Sequence, residues 1–324
     1  MPEITIPACG LQLRGTLTTP AGATPTPAAL LISGSGPLDR DSNMKRMPIA
    51  VMGRLAALLA DAGIASLRYD KRGVGESEGV YLSAGLNDNI DDARAALGVL
   101  RDRPEVDPDR VIVIGHSEGA FIASALAATP GLAGAVLLAG AARSGEEVLY
   151  RQACRVADTL STPARFFAKL LRQDVIKAQT KRLDRIRASS EDVIRLRFVT
   201  MNVKWFREFL VFDPSEALAE ATTSVLAITG EKDLQVDPTD VGRMKAVVPT
   251  TFTGYVVPDV THLLRTESGP ASFSTYKQQA RQPLDQRVCD LVTDWITEQT
   301  AERPHSTVIN GKLIPIDTAS RDPF

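Results

Sequence analysis

The stretch VIVIGHSEGAFIASAL, residues 111–126, constrains the fold of this chain more than any other. A run of β-branched residues stops at Gly115, sets Ser117 between two glycines, and resumes as a small-residue amphipathic pattern. The first half reads as a buried strand and the second as a helix. Gly115-His116-Ser117-Glu118-Gly119 lies at the junction and fits G-x-S-x-G, in which a tight strand-to-helix turn lifts a serine hydroxyl above a sheet. The glycines are needed where backbone and helix approach too closely for side chains. The helix N-terminus aims free N–H groups and the positive end of its dipole at the place where an oxyanion would form.

Other apolar runs share this grammar. AALLISGSG, IASLRYDKRG, GAVLLAG and SVLAITGEKD also end in glycine or charge, and most are separated by helix-length segments. Runs that are apolar on both faces suit parallel strands joined by right-handed helical crossovers. Ile49, Met52, Leu55, Leu58 and Leu59 share one helical face, and Ile90, Ala93, Ala96 and Leu97 share another. Val288, Leu291, Val292, Trp295 and Ile296 define a third helix near the end. The expected fold is α/β, a mostly parallel central sheet flanked by helices. Ahead of it, Ile4, Ile6, Leu11, Leu13 and Leu17 alternate with polar residues, as in two half-buried antiparallel strands.

The alternation breaks once, between the strands near Gly140 and Ser224. There Phe167, Leu170, Leu171 and Val175 share a helical face, and Ile194, Phe198, Met201, Trp205 and Phe209 share a second. Residues 143–218 are therefore assigned to a helical cap inserted into a core of residues 1–142 and 219–302. Phe166, Phe167, Trp205 and Phe206 are read as the cap's own core, with the lining of a substrate pocket as the alternative. The basic residues Arg165, Arg172, Lys177, Lys181, Arg182, Arg185 and Arg187 are read as a solvated face. In the tail, residues 303–324, Asn310-Gly311 between apolar triplets signals a hairpin, and a homodimer built through it is one expectation.

A serine hydroxyl needs a base, normally histidine, and the chain has 3 histidines. His116 precedes the serine, where its side chain is expected to project away from the hydroxyl, and His305 lies in the tail. His262, just after the last expected strand, remains. The acid that orients it should end a neighbouring strand. Asp233, in SVLAITGEKD, does so in the order Ser, Asp, His; Asp213 and Glu231 are the alternatives.

Together these residues resemble the α/β-hydrolase superfamily over nearly the whole chain outside the tail. LLISGSGPLDRD resembles its oxyanion loop, with Ser33 where many members carry histidine. RYDKRGVGES looks like the D-x-R-G-x-G-x-S turn, GHSEG is similar to the elbow, and ITGEKD and DVTHLL to the acid and histidine loops. The pairing of GSGPLDRD with GHSEG, and the THLLRTESG to STY to Trp spacing, is most similar to bacterial esterases related to the serine aminopeptidase-like hydrolases. The resemblance implies an oxyanion hole formed by the backbone N–H groups of Ser35 and Glu118, with Gly36 as the alternative to Ser35. It also implies cleavage of a small-molecule carboxylic ester through an acyl-enzyme on Ser117. An aminopeptidase-like amidase or a thioesterase on the same triad is the alternative, and a noncatalytic ligand receptor a more distant one. The Glu118 carboxylate would repel a nearby oxyanion unless Arg40 or Arg72 neutralises it or it points to solvent.

Composition narrows the partners. Lys plus Arg (37) nearly balances Asp plus Glu (39), a formal charge of −2, so no global field argues for nucleic acid or an anionic membrane. RYDKRGVGESEG is not a dinucleotide fingerprint, because Glu78 stands where the third glycine would fall. Cys9, Cys154 and Cys289 are scattered without metal-ligand spacing, and serine hydrolysis needs no metal or organic cofactor. With no apolar stretch long enough to span a bilayer and no signal-like N-terminus, a cytoplasmic protein is expected.

Overall fold

Period-two burial marks the start of the chain, where β1 (Glu3–Ala8) pairs antiparallel with β2 (Leu11–Thr18). Ile4, Ile6 and Ala8 turn inward and their neighbours turn to solvent, the pattern of an antiparallel strand with one wet face. The computed structural model describes residues 2–22, 25–45, 47–158, 183–196, 199–301, 306–309 and 312–315.

After β2 the chain runs through β3 (Thr26–Ile32), a short antiparallel pair β4 (Asn43–Met44) and β5 (Met47–Pro48), α1 (Val51–Asp61), β6 (Ala65–Tyr69) and α2 (Leu86–Arg101). Then come β7 (Val106–His116), α3 (Glu118–Leu126), β8 (Gly134–Leu138) and α4 (Gly145–Asp158). A helix over residues 183–188 (α5), β9 (Val193–Leu196), β10 (Val199–Asn202), α6 (Val203–Val211) and α7 (Pro214–Ala219) follow. The chain finishes with β11 (Val225–Gly230), α8 (Asp240–Val247), β12 (Phe252–Val257), α9 (Tyr276–Gln279), α10 (Gln286–Thr300) and an antiparallel tail pair, β13 (Ser306–Ile309) and β14 (Lys312–Pro315).

Eight strands form one sheet in the order β1-β2-β6-β3-β7-β8-β11-β12, antiparallel only where β1 meets β2 and β2 meets β6. The central strands are apolar throughout because both faces are covered. Leu30, Ile32, Val111 and Val113 pack on one face under α2 and α3, with Leu86, Ile90, Phe121 and Ile122. Leu31, Ile112 and Ile114, one residue out of phase, pack on the other under α1 and α10, with Met52, Leu55, Val292 and Trp295. Burying each such side chain stabilises the fold by roughly 1.5–3 kcal/mol.

The segment between β8 and β11 departs from the helical expectation. Residues 193–196 and 199–202 form an antiparallel strand pair, with Ile194 opposite Met201, where a continuous helical face through Ile194, Met201 and Trp205 was expected. The β-branched content of Val193, Ile194, Val199 and Thr200 stiffens χ1 and favours strand. Only from Val203 does the helix α6 begin, capped by the Asn202 side chain, which accepts from the Trp205 N–H at 2.9 Å. The face through Phe167, Leu170, Leu171 and Val175 lies outside the described residues, as do Phe166 and Phe198. Trp205 stacks on Phe209 with ring centroids 4.5 Å apart and meets Phe206 edge-on. Through α7 the chain returns to the main core, where Leu218 is fully buried.

Candidate active site

The parallel strands end at one edge of the sheet, and in open α/β sheets that edge is where ligands bind. At the end of β7 the backbone turns so tightly that Ser117 takes φ 57°, ψ −118°. A non-glycine residue held there stores about 1–3 kcal/mol of strain, which the surroundings must over-determine. They do. A Cβ on Gly115 would sit 1.9 Å from the Gly119 carbonyl oxygen, and one on Gly119 would sit 2.1 Å from the Ile32 carbonyl oxygen, so neither position admits a side chain. The Ser117 N–H is committed to the Leu138 carbonyl at 2.9 Å. What the turn leaves free is the hydroxyl.

The structure brings three side chains named from the sequence into a line. His262 Nε2 lies 3.0 Å from Ser117 Oγ, and His262 Nδ1 lies 2.8 Å from Asp233 Oδ2. With a carboxylate at one nitrogen and a hydroxyl at the other, the ring carries its proton on Nδ1, and the Nε2 lone pair accepts from the serine. Asp233 follows β11 and is buried. Its Oδ1 accepts from the N–H groups of Gln235 and Val236 at 2.7 and 2.9 Å, which fixes the carboxylate. The alternative acids are otherwise engaged. Asp213 caps α7 by accepting from the Ser215 N–H, and Glu231 accepts from the Asp259 N–H.

Two buried groups hold His262 from behind, and neither was singled out from the sequence for that role. The His116 ring bonds away from the Ser117 hydroxyl: its Nε2–H donates to the His262 carbonyl at 2.8 Å. Burial, with the neighbouring His262, pushes His116 down from the ordinary 6.5 to about 3, so it stays neutral. Arg265, fully buried, donates to the carbonyls of Ile49, Leu263 and Gln282, tying the histidine loop to the start of α1. Desolvation lowers its pKa to about 10.

The loop after β3 runs against the elbow, with a Cβ position on Gly34 only 3.3 Å from the Ser117 Cβ. Among the described residues neither the Ser35 nor the Glu118 N–H has an acceptor. The Gly36 N–H, the alternative donor, lies beside the half-buried Tyr81 hydroxyl. Glu118 corrects the expectation for its side chain. It is 4% exposed, so it does not reach solvent, and its partner is neither Arg40 nor Arg72. Lys71 donates to it at 3.0 Å, as does the Asn89 amide. Arg40 is occupied by Asp70, and Arg72 by Asp92. The glycines of RYDKRGVGES serve this packing: a Cβ on Gly73 would strike the Tyr81 backbone at 2.2 Å, and one on Gly75 the Asp70 carboxylate at 2.4 Å.

Ser117 and His262 open onto a cavity of about 150 Å3 lined by Leu38, Met44, Met47, Ile49, Leu263 and Tyr276, besides the loop and elbow residues. The apolar wall therefore comes from the segment between β3 and α1 and from the histidine loop. Trp205 and Phe206 are not part of it. Among the described residues no group of three or more His, Cys, Asp or Glu is placed to hold a metal ion, and no helix is long and apolar enough to cross a membrane.

Esterase EstD of Thermotoga maritima is 28% identical over 299 residues, covering 88% of this chain and 66% of that protein, so the chain spans just under two thirds of that relative's length. Est1E of Butyrivibrio proteoclasticus, solved with ferulic acid bound, aligns with a TM-score of 0.61 at 15% identity, covering 92% of this chain and 100% of that one. Proline iminopeptidase of Mycobacterium smegmatis aligns with a TM-score of 0.61 at 16% identity, covering 92% and 99%. These likenesses show the α/β-hydrolase fold. The family model described as serine aminopeptidase, S33, matches residues 49–269, more than half of the chain. With that match added to its sheet order and its elbow, the chain belongs to the serine aminopeptidase S33 family of α/β hydrolases.

Proposed function

We propose that the protein is a serine esterase that cleaves small neutral carboxylic esters. The observation that carries the reading is the hydrogen-bonded line Ser117, His262, Asp233, which opens onto an apolar cavity beside two free backbone donors. Ser117 Oγ attacks the ester carbonyl as His262 Nε2 takes its proton. Asp233 keeps the Nδ1–H in place and stabilises the imidazolium. The N–H groups of Ser35 and Glu118 receive the negative charge that develops on the carbonyl oxygen; removing one such donor typically costs about 3–4 kcal/mol of barrier. The alcohol leaves with the proton from His262, and water, activated by the same nitrogen, releases the acid.

The cavity supports a choice among acyl groups. At about 150 Å3 it is the size of an engineered apolar cavity that takes up benzene, so a short aliphatic chain or a single ring fills it. Its described lining offers thioether, aliphatic, hydroxyl and imidazole groups and one amide, that of Gln235, and no carboxylate, which suits a neutral ester better than a substrate with a free α-amine. EstD, the relative that aligns over most of this chain, is an esterase by name, and the reading agrees with it.

The test is a comparison of kcat/KM for p-nitrophenyl acetate, butyrate and octanoate with that for aminoacyl p-nitroanilides. The esterase reading expects butyrate to lead and the anilides to trail by orders of magnitude. Preference for the anilides would replace it with an aminopeptidase, and no turnover of either class would leave the ligand-receptor reading in front.

A further inference from the structure

Strands β6, β3 and β7 lie side by side, parallel, and end at the same edge of the sheet. Two residues past their ends stand Lys71, Gly34 and Glu118. The Lys71 ammonium, 5% exposed, donates to the Gly34 carbonyl at 2.7 Å and to the Glu118 carboxylate at 3.0 Å. Asn89 donates to the same carboxylate oxygen at 3.0 Å. The proton relay uses none of these groups. A buried ion pair is also an expensive way to fill space, since apolar residues of similar volume often stabilise a fold as well or better.

Its geometry gives the pair a different task. A trans peptide carries its C=O and the following N–H on opposite sides of one plane. With the Gly34 oxygen drawn onto Lys71, the Ser35 N–H is directed the other way, toward the cavity lined by Gly34, Ser35 and Ser117. The second arm of the ammonium grips the side chain of Glu118, whose own backbone N–H is the other free donor. A single cation thus links the two donor peptides from behind. Turned over, the Gly34–Ser35 peptide would present an oxygen where the acyl oxygen must sit.

We propose that Lys71 is a positioning residue for the oxyanion hole, holding the Gly34–Ser35 peptide so that the Ser35 N–H meets the developing charge, with Glu118 as the counter-ion that fixes the ammonium. The inference rests on the esterase reading above. Stabilisation would be withdrawn from the transition state more than from bound ester, so the signature is a loss in kcat with little change in KM.

The experiment compares the wild type with Lys71→Met, Lys71→Arg and the double variant Lys71→Met/Glu118→Gln. It measures kcat and KM on p-nitrophenyl butyrate, inhibition by a trifluoromethyl ketone, which forms an oxyanion on Ser117, and Tm. Lys71→Met leaves Glu118 buried without its cation and should lose Tm. The double variant removes both charges and should recover it. A positioning role predicts that kcat stays about 10²- to 10³-fold down in the double variant, KM moves less than about 3-fold, and ketone inhibition weakens in proportion to kcat. Partial rescue by Lys71→Arg, which keeps a donor, is expected as well. A double variant whose kcat returns with its Tm would make Lys71 a structural partner of Glu118 only and overturn the proposal, while leaving the esterase reading intact. A wild type that neither turns over the ester nor binds the ketone would overturn the esterase reading itself, and the role of Lys71 with it.

Discussion

Asp233→Asn separates orientation from charge at the site. The asparagine side chain is isosteric with the one it replaces, and two backbone donors decide how it sits: the Gln235 and Val236 N–H groups, at 2.7 and 2.9 Å from Oδ1, can donate only to an oxygen in that place. The amide nitrogen is then forced toward His262 Nδ1, where Oδ2 stood at 2.8 Å. Two donors cannot face each other, so the imidazole must shift its proton to Nε2 and aim an N–H at Ser117. It can no longer accept the serine proton. A loss of about 10⁴ in kcat follows, equivalent to about 5 kcal/mol of barrier. KM should hold, because Asp233 is buried behind His262, and Tm should fall little, because both backbone hydrogen bonds survive. Steady-state hydrolysis of p-nitrophenyl butyrate measures the first two and thermal unfolding the third. A variant within about 10-fold of the wild type in kcat would refute the assignment of Asp233 and return Asp213 or Glu231 to consideration.

Three further outcomes are expected. His116 is held at about 3 in the fold against 6.5 when unfolded, so the unfolded chain binds the extra proton as pH falls. Its contribution is present above pH 6.5 and is lost at about 1.4 kcal/mol per pH unit down to pH 3. Urea unfolding at pH 7 and pH 5 should show a drop about 2 kcal/mol larger in the wild type than in His116→Asn, and equal drops would contradict the buried neutral ring. Gly119→Ala places a methyl 2.1 Å from the Ile32 carbonyl, so it should cost at least about 3 kcal/mol of stability and displace the elbow; a stable, active variant would mean the close approach is not real. Met44→Ala widens the cavity wall, and the octanoate to butyrate ratio of kcat/KM should rise several-fold; an unchanged ratio would place the acyl group elsewhere.

How much of this was legible in the chain depends on whether local pattern or spatial neighbour decides. The central strands declared themselves because burial on both faces leaves an unbroken apolar run, as in VIVIG, and because Gly115 and Gly119 mark close approaches that no other residue survives. With 3 histidines in the chain, elimination was enough to single out His262. The cation facing Glu118 was not readable in the same way. Lys71 and Arg72 are adjacent, and which one turns under the elbow is set by Asp88 and Asp92 on α2, which draw Arg72 aside. Residues 193–202 carried an apolar spacing compatible with a helix, and β-branched content with a cross-strand partner decided for an antiparallel strand pair, β9 with β10. The cavity wall was missed for a related reason. Met44 and Met47 sit in a segment without periodicity, and the antiparallel pairing of β4 with β5 sets them side by side in the cavity wall with Ser117.

The central claim is that Ser117 carries the acyl group, and trapping that intermediate tests it most directly. The wild type is mixed with p-nitrophenyl butyrate, quenched in acid within the first turnover, and digested for mass spectrometry alongside Ser117→Ala. The account predicts a butyryl adduct on the peptide that contains Ser117, formed in step with a burst of p-nitrophenol and absent from the variant. Turnover without any adduct on that peptide, or a variant as active as the wild type, would contradict it.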